Sequence, residues 1–347
     1  GITARWDKNL ITLAYLSLMR RAHFQCFGSV RFGGTWTLAD AWRQQFDHVV
    51  IALGAGLPKT LKIPHSMSVG MRTANDFLMA LHLGGAGHPN STTMVAVDLP
   101  ALVIGGGLTA VDTATELQAL YLQQVTQAYA TQQKHKAIWP QIQAQFSASA
   151  WQKIERWCAH GAALAAAKKD ALLHGKLLDL HALLHTWGGV TMVYRKRLQD
   201  SPAYRINHEE LHAALQEGIL FRPCVQPIGV VVDDAGQVAG LQIQSMQQCD
   251  EGAWYAQDAT EDMLARSIWS AIGTQLNVAY SFEHAGEIDK VHAFQYQAHT
   301  WDAQSGLQVA PPGPHCKTDQ VAIFTQIDVR AGVSFIGDSH PAFHGSV

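Results

Sequence analysis

Apolar and polar positions along this chain alternate between two patterns. Short, mostly apolar runs are bounded by glycine: "FDHVVIALGAG" (46–56), "LPALVIGGG" (99–107), "GGVTMV" (188–193), "ARSIWSAIG" (265–273) and "GVSFIG" (332–337). Runs of this length and composition predict strands of a parallel sheet buried on both faces. Between them apolar residues recur every third or fourth position, which predicts helices. One is expected at "RTANDFLMALHLG" (72–84), stopping at Gly84, and one from about Leu108. Another is expected at "INHEELHAALQEGI" (206–219), where Asn207 and Glu210 stand at capping-box spacing and Gly218 ends the pattern. "PIGVVVDDAGQVAGLQIQ" (227–244) predicts a hairpin about "DDAG", and "HPNSTT" (88–93) a loop. Alternating strands and helices define an α/β fold with parallel sheets.

The segment from Leu117 to Thr186 breaks this rhythm. It is rich in Ala, Leu, Gln and Lys and poor in β-branched residues, which predicts several helices interrupted near Pro140.

The run at 99–107 carries the most chemistry. Gly105, Gly107 and Ala110 form G-x-G-x-x-A between a strand and a helix, with Gly106, Leu108 and Thr109 filling the turn. In a dinucleotide site the first glycine allows the tight turn and the second lets backbone approach a pyrophosphate. The small third residue lets helix and strand pack closely. A structural glycine turn is the alternative. The ribose-reading residue belongs ~20 residues further on, where this chain has only helical "LQQVTQAYA". The strand that fits is "VTMVYRKR", so 117–186 reads as an insertion between the first helix and the second strand. Its end holds Arg195, Lys196 and Arg197, and no acid before Asp200. Guanidinium groups suit the 2′-phosphate of NADPH, whereas NAD calls for a carboxylate there. A solvated basic strand end is the alternative.

Composition narrows the field. Charged residues make up 15% of the 347 residues and the formal net charge is −3, which gives no footprint for nucleic acid or an anionic membrane. No apolar run approaches the ~18 residues of a membrane span. Cys26, Cys158, Cys224, Cys249 and Cys316 are scattered without a C-x-x-C pair, against a disulfide framework, a local metal or iron–sulfur site, or a redox dithiol. Free thiols fit a reducing cytoplasm. His181 and His185 lie one turn apart in "HALLH" but lack an H-E-x-x-H context, so they read as helix-surface histidines and no metal site is expected. The chain starts without Met and ends at "PAFHGSV", which reads as a piece of a longer protein.

"LPALVIGGGLTAVDTAT", "VTMVYRKR" with "SPAYRINHEE", "AIGTQLN" and "FIGDSHPAFHG" together resemble the glutamate synthase small-subunit family of FAD- and NADPH-dependent oxidoreductases. The resemblance implies two nested FAD/NAD(P)-binding Rossmann-like domains in three layers, plus the helical insertion. It implies a partial FAD domain at 1–98, an NADPH domain at 99–272 and a return segment of the FAD domain at 273–347. Residues 105–110 match the NADPH turn, and Arg195 and Arg197 the basic pair. Gly54 in "ALGAG" and Gly273 in "AIGTQ" match the two crossovers between domains. Gly337 and Asp338 match the flavin-contacting turn, with His340 and His344 beside it. The family's FAD fingerprint and cluster cysteines are absent from this chain. The implied activity is hydride transfer from NADPH to FAD, with electrons passing onward to an iron–sulfur or other acceptor in a larger protein or a partner subunit. No side-chain acid or base is required for the hydride step. A flavin-free NADP-dependent dehydrogenase and a non-catalytic nucleotide-binding scaffold are the alternatives.

Overall fold

The computed structural model describes residues 12–88, 90–275, 277, 279–284, 296–302, 304–309, 322–326 and 333–335. Gly337, Asp338, His340 and His344 lie outside the described residues. The chain divides into two compact units, 8–59 with 274–347, and 60–273 together with the first seven residues.

The discontinuous unit opens with α1 (12–19) and α2 (Leu38–Arg43). Thr37 caps α2 and forms a reciprocal capping box with Asp40. The strands β1 (Val49–Ile51) and β2 (Leu57–Pro58) follow. Leu38, Ala41, Val49, Ile51 and Tyr280 make a small core, with Phe32, Trp36 and Trp42 packed against it. His284 is buried there. Its Nε2 accepts from the Leu38 amide at 3.0 Å, which puts the ring proton on Nδ1, 2.6 Å from the Tyr280 carbonyl.

The continuous unit positions the site. Its elements are β3 (Met71–Thr73), α3 (Ala74–His82), β4 (Ala101–Ile104), α4 (Leu108–Lys134), α5 (Trp139–Gln143), α6 (Ala148–Leu173), α7 (Leu180–Thr186), β5 (Val190–Val193), α8 (Pro202–Gln216), β6 (Leu220–Arg222), β7 (Val225–Val232), β8 (Val238–Gln248), β9 (Trp254–Leu264) and β10 (Ser267–Ser270). Five strands form a sheet in the order β3-β10-β4-β5-β6, and every pairing in it is parallel. Strand alternation sends Ala101, Val103, Val190, Met192 and Trp269 to one face, against Ala110, Val111, Ala114 and Leu117 of α4 and Phe77 of α3. Leu102, Ile104, Val193 and Ile268 point the other way, against Val230, Leu241 and Ile243 of the antiparallel sheet β7-β8-β9. The unit is therefore layered as helices, parallel sheet and antiparallel sheet.

The chain then returns to the first unit. Strand β11 (Thr274–Gln275) pairs antiparallel with β2, and β12 (Tyr296–Asp302), β13 (Gly306–Val309), β14 (Ala322–Gln326) and β15 (Val333–Phe335) build a second sheet. Its order is β1-β15-β14-β12-β13, with β1 parallel to β15.

The compact units meet at 59/60, because β3 pairs with β10 and α3 packs on the central core. Two sequence readings are corrected. Leu117 is no boundary, since α4 runs unbroken for 27 residues and buries Leu117, Tyr121 and Val125 on the body. Helix α8 begins at Pro202, capped by Ser201, and breaks at Asn207. Asn207 then accepts the Glu210 amide at 3.4 Å, so the local cap read from the sequence is present inside the longer element.

The helical insertion is tied down at the amino edge of the parallel sheet. Helix α6 runs back along α4, with Cys158 Sγ directed at the Ala128 carbonyl (3.6 Å) and Gly161 lying against the Val125 carbonyl. Arg156 clasps the Asp98 carboxylate through two nitrogens, one at 3.0 Å, just ahead of β4. His160 stacks on Trp187 with ring centres 4.3 Å apart and shares a 2.6 Å hydrogen bond with the Tyr121 hydroxyl.

Candidate nucleotide-binding site

Strand β4 is buried throughout and delivers the chain to the carboxyl edge of the sheet, where Gly105 turns it at a φ of +153°. A side chain at Gly105 would run into the Ala271 carbonyl on the β10 side. At Gly106 an added Cβ would lie 2.5 Å from the Tyr194 ring on the β5 side. At Gly107 it would meet nothing within 4 Å. The turn is thus gripped from both flanks and open at its tip. Gly107 caps α4 with no side-chain hydrogen bond, and no acidic residue lies in the first turn. The first amides of a long helix and the positive end of its dipole therefore face this opening, an arrangement suited to an anion. Ala110, in the first turn of α4, is fully buried against the sheet, as the third position of the motif requires.

The strand that reads as distant in sequence is the spatial neighbour of this turn. Ile104 pairs with Val193, and the Gly105 amide donates to the Val193 carbonyl at 3.0 Å. The chain after β5 continues past the turn, and the Ala203 amide donates to the Gly106 carbonyl at 3.0 Å. Arg195 is exposed and forms no ion pair among the described residues. Arg197 is held by Asp200, with Nε 2.7 Å from the carboxylate, and Arg205 stands 3.7 Å from the same group. Hydrogen bonding to Arg197 lowers the Asp200 pKa and raises that of Arg197. Burial raises the Tyr194 pKa against the opposing pull of Arg195 and Arg205. Tyr194, Asp200 and Arg205 are the neighbours of the turn and of Arg197 that motif reasoning passed over. The "SP" pair at 201–202 is a start signal that places α8, and with it Arg205, beside the turn.

Gly54 and Gly273 both adopt left-handed backbone, at φ +69° and +98°, and each lies within a few residues of a point where the chain passes from one unit to the other. His181 and His185 face Gly218: the His185 ring nitrogen lies 3.0 Å from its carbonyl, and the His181 ring packs against its Cα. Among the described residues no group of three or more His, Cys, Asp or Glu side chains could hold a metal ion. No described helix is long and apolar enough to cross a membrane.

No family model matches the chain. An uncharacterized protein of Rickettsia prowazekii (strain Madrid E), RP006, is 37% identical over 242 residues, which are 70% of this chain and 32% of that protein. The chain thus spans about a third of the length of this curated relative. Among solved structures it is similar to FprA, a Mycobacterium tuberculosis oxidoreductase, at a TM-score of 0.53 and 14% identity, covering 98% of this chain and 68% of that one. It is also similar to Mycobacterium tuberculosis FprA in complex with NADPH, at a TM-score of 0.51 and 15% identity, covering 96% and 67% of the two chains. The chain shares the mixed α/β fold of these structures, with its parallel sheet.

Proposed function

We propose that this chain is the nucleotide-input part of a flavin-dependent oxidoreductase that takes hydride from NADPH. One observation carries the reading: β5 lies in parallel register beside β4, so Arg195 and the open glycine turn flank one sheet edge although the whole helical insertion separates them in sequence. The amides at the start of α4 hold the pyrophosphate, and Arg195, Arg197 and Arg205 supply the charge for the 2′-phosphate. Asp200 orients Arg197. Ala271 and Tyr194 fix the turn so that only Gly107 meets the ligand. The role of these residues is positioning, which brings the reacting carbon to a set place without an acid or base from the chain.

FAD, the acceptor in this reading, is served by the discontinuous unit, where Gly337 and Asp338 are the proposed contacts. When bound, it accepts a hydride and can release electrons singly. The fold of FprA and the passages of the chain between units at 59/60 and 273/274 support this assignment. In the finer form of the proposal, electrons leave for an iron–sulfur or other acceptor elsewhere in a longer protein or in a partner, as in the glutamate synthase small-subunit family.

The test is anaerobic addition of NADPH to the protein purified with its flavin. Bleaching of the flavin's visible absorbance supports the proposal. A colourless protein that still oxidises NADPH points to a flavin-free dehydrogenase, and nucleotide binding with no acceptor reduced points to a scaffold.

A further inference from the structure

We infer that Ser270 is the specificity-determining hydrogen-bond partner for the nicotinamide–ribose half of the bound nucleotide. The inference rests on the nucleotide site proposed above and deepens it. A dinucleotide whose pyrophosphate sits at the β4 turn and whose 2′-phosphate sits beyond β5 has its other half over the far side of β4. The strands on that side are β10 and β3. Ser270 is the last residue of β10. It stands in register with Ile104 on one side and Thr73 on the other, and the next amide, of Ala271, donates to the Ile104 carbonyl at 2.8 Å.

Its hydroxyl is the anomaly of this edge. Ser270 is 8% exposed, and its Oγ has no hydrogen-bond partner among the described residues. By alternation it shares the sheet face of Ile268, Ile104 and Met71, all members of an apolar cluster. Thr73, its neighbour on β3, is already committed, because its Oγ1 accepts the Asp76 amide at 3.1 Å. The other serine of the strand, Ser267, donates to the Asp98 carbonyl at 2.7 Å. A buried hydroxyl without a partner is destabilising, and alanine would suit this surface better. A hydroxyl kept unpaired at the ligand-bearing edge is one that a ligand completes. The matching groups on the nicotinamide side are the ribose hydroxyls and the carboxamide.

Titration of NADPH and of 2′,5′-ADP, which lacks the nicotinamide–ribose half, into the unsubstituted chain and Ser270→Ala tests this. The expected result is a Ser270→Ala protein whose Kd for NADPH rises roughly fivefold or more while its Kd for 2′,5′-ADP is unchanged. Its ligand-free melting temperature should be equal or higher, since no native hydrogen bond is lost. Equal weakening of both ligands, weakening of neither, or a lowered melting temperature overturns the assignment. Failure of the unsubstituted chain to bind 2′,5′-ADP overturns the nucleotide site itself, and is read separately from the Ser270 comparison.

Discussion

The Tyr194 ring packs against the turn at Gly106, so close that a methyl group on that glycine would sit 2.5 Å from the ring. The residue after β5 thereby locks the loop after β4, and the two glycines 106 and 107 acquire different roles. Gly106→Ala must displace Tyr194, at a cost of about 1–3 kcal/mol, and both melting temperature and nucleotide affinity should fall. Gly107→Ala has open space and an ordinary φ of −92°. Its melting temperature should change by no more than about 3 °C, because the poorer alanine cap, at about 1 kcal/mol, is offset by the lower entropy of the unfolded chain. Its nucleotide affinity should still fall because the methyl occupies the phosphate approach. Calorimetric melting and NADPH titration of the two variants check this contrast.

Arg195 and Arg197 are predicted to differ. Arg195→Ala should weaken NADPH by about 1.5–3 kcal/mol, roughly ten- to a hundredfold, and leave NADH unchanged. Arg197 is partly neutralised by Asp200, so Arg197→Ala should cost less. Fluorescence titrations at two salt concentrations measure these differences, which shrink at higher salt.

The insertion depends on one close helix crossing. Gly161 on α6 presses on the Val125 carbonyl and the Tyr129 Cβ of α4, and neither backbone can yield without separating the helices. Gly161→Ala should lower the melting temperature by several degrees. NADPH affinity should be retained, because the crossing is at the amino side of the sheet, away from the turn. Simultaneous loss of affinity would show that the insertion supports the site.

Stability should also respond to His160. Burial lowers its pKa below the ordinary 6.5, assisted by Arg156 and Arg266 and opposed by Asp98, while it bonds to the Tyr121 hydroxyl. The unfolded chain therefore binds this proton first as pH falls, and stability declines once pH drops below 6.5 towards the folded-state value. His160→Gln should flatten that part of the melting-temperature profile between pH 5 and 7, an interval chosen to bracket the ordinary histidine pKa of ~6.5.

Much of the continuous unit was legible because its signals are local. The apolar run at 101–104 is β4 to the residue, and helix α4 starts at Leu108. The pairing of β4 with β5 was legible through the motif, which demanded a basic strand that local distance did not supply. Strand β9 was not. Trp254–Leu264 is exposed on both faces along nearly its whole length, so it carries no apolar alternation; it is held by backbone pairing to β8, with Met263 packed on the apolar cluster and Glu261 paired with Arg222. The unit boundary at 59/60 was hidden for a related reason: β3 has only three residues, and its place is set by β10, far along the chain. The pairing of Arg197 with Asp200 is three residues long and readable in principle, but a motif that looks for positive charge alone passes over the acid that steers it.

The central claim is that the glycine turn and the arginine-bearing strand end hold one 2′-phosphorylated dinucleotide. Calorimetric titration of the unsubstituted chain with NADPH and with NADH tests it most directly. NADPH binding at least tenfold tighter than NADH, with one site per chain, is the predicted result; equal affinities, or a preference for NADH, would contradict it.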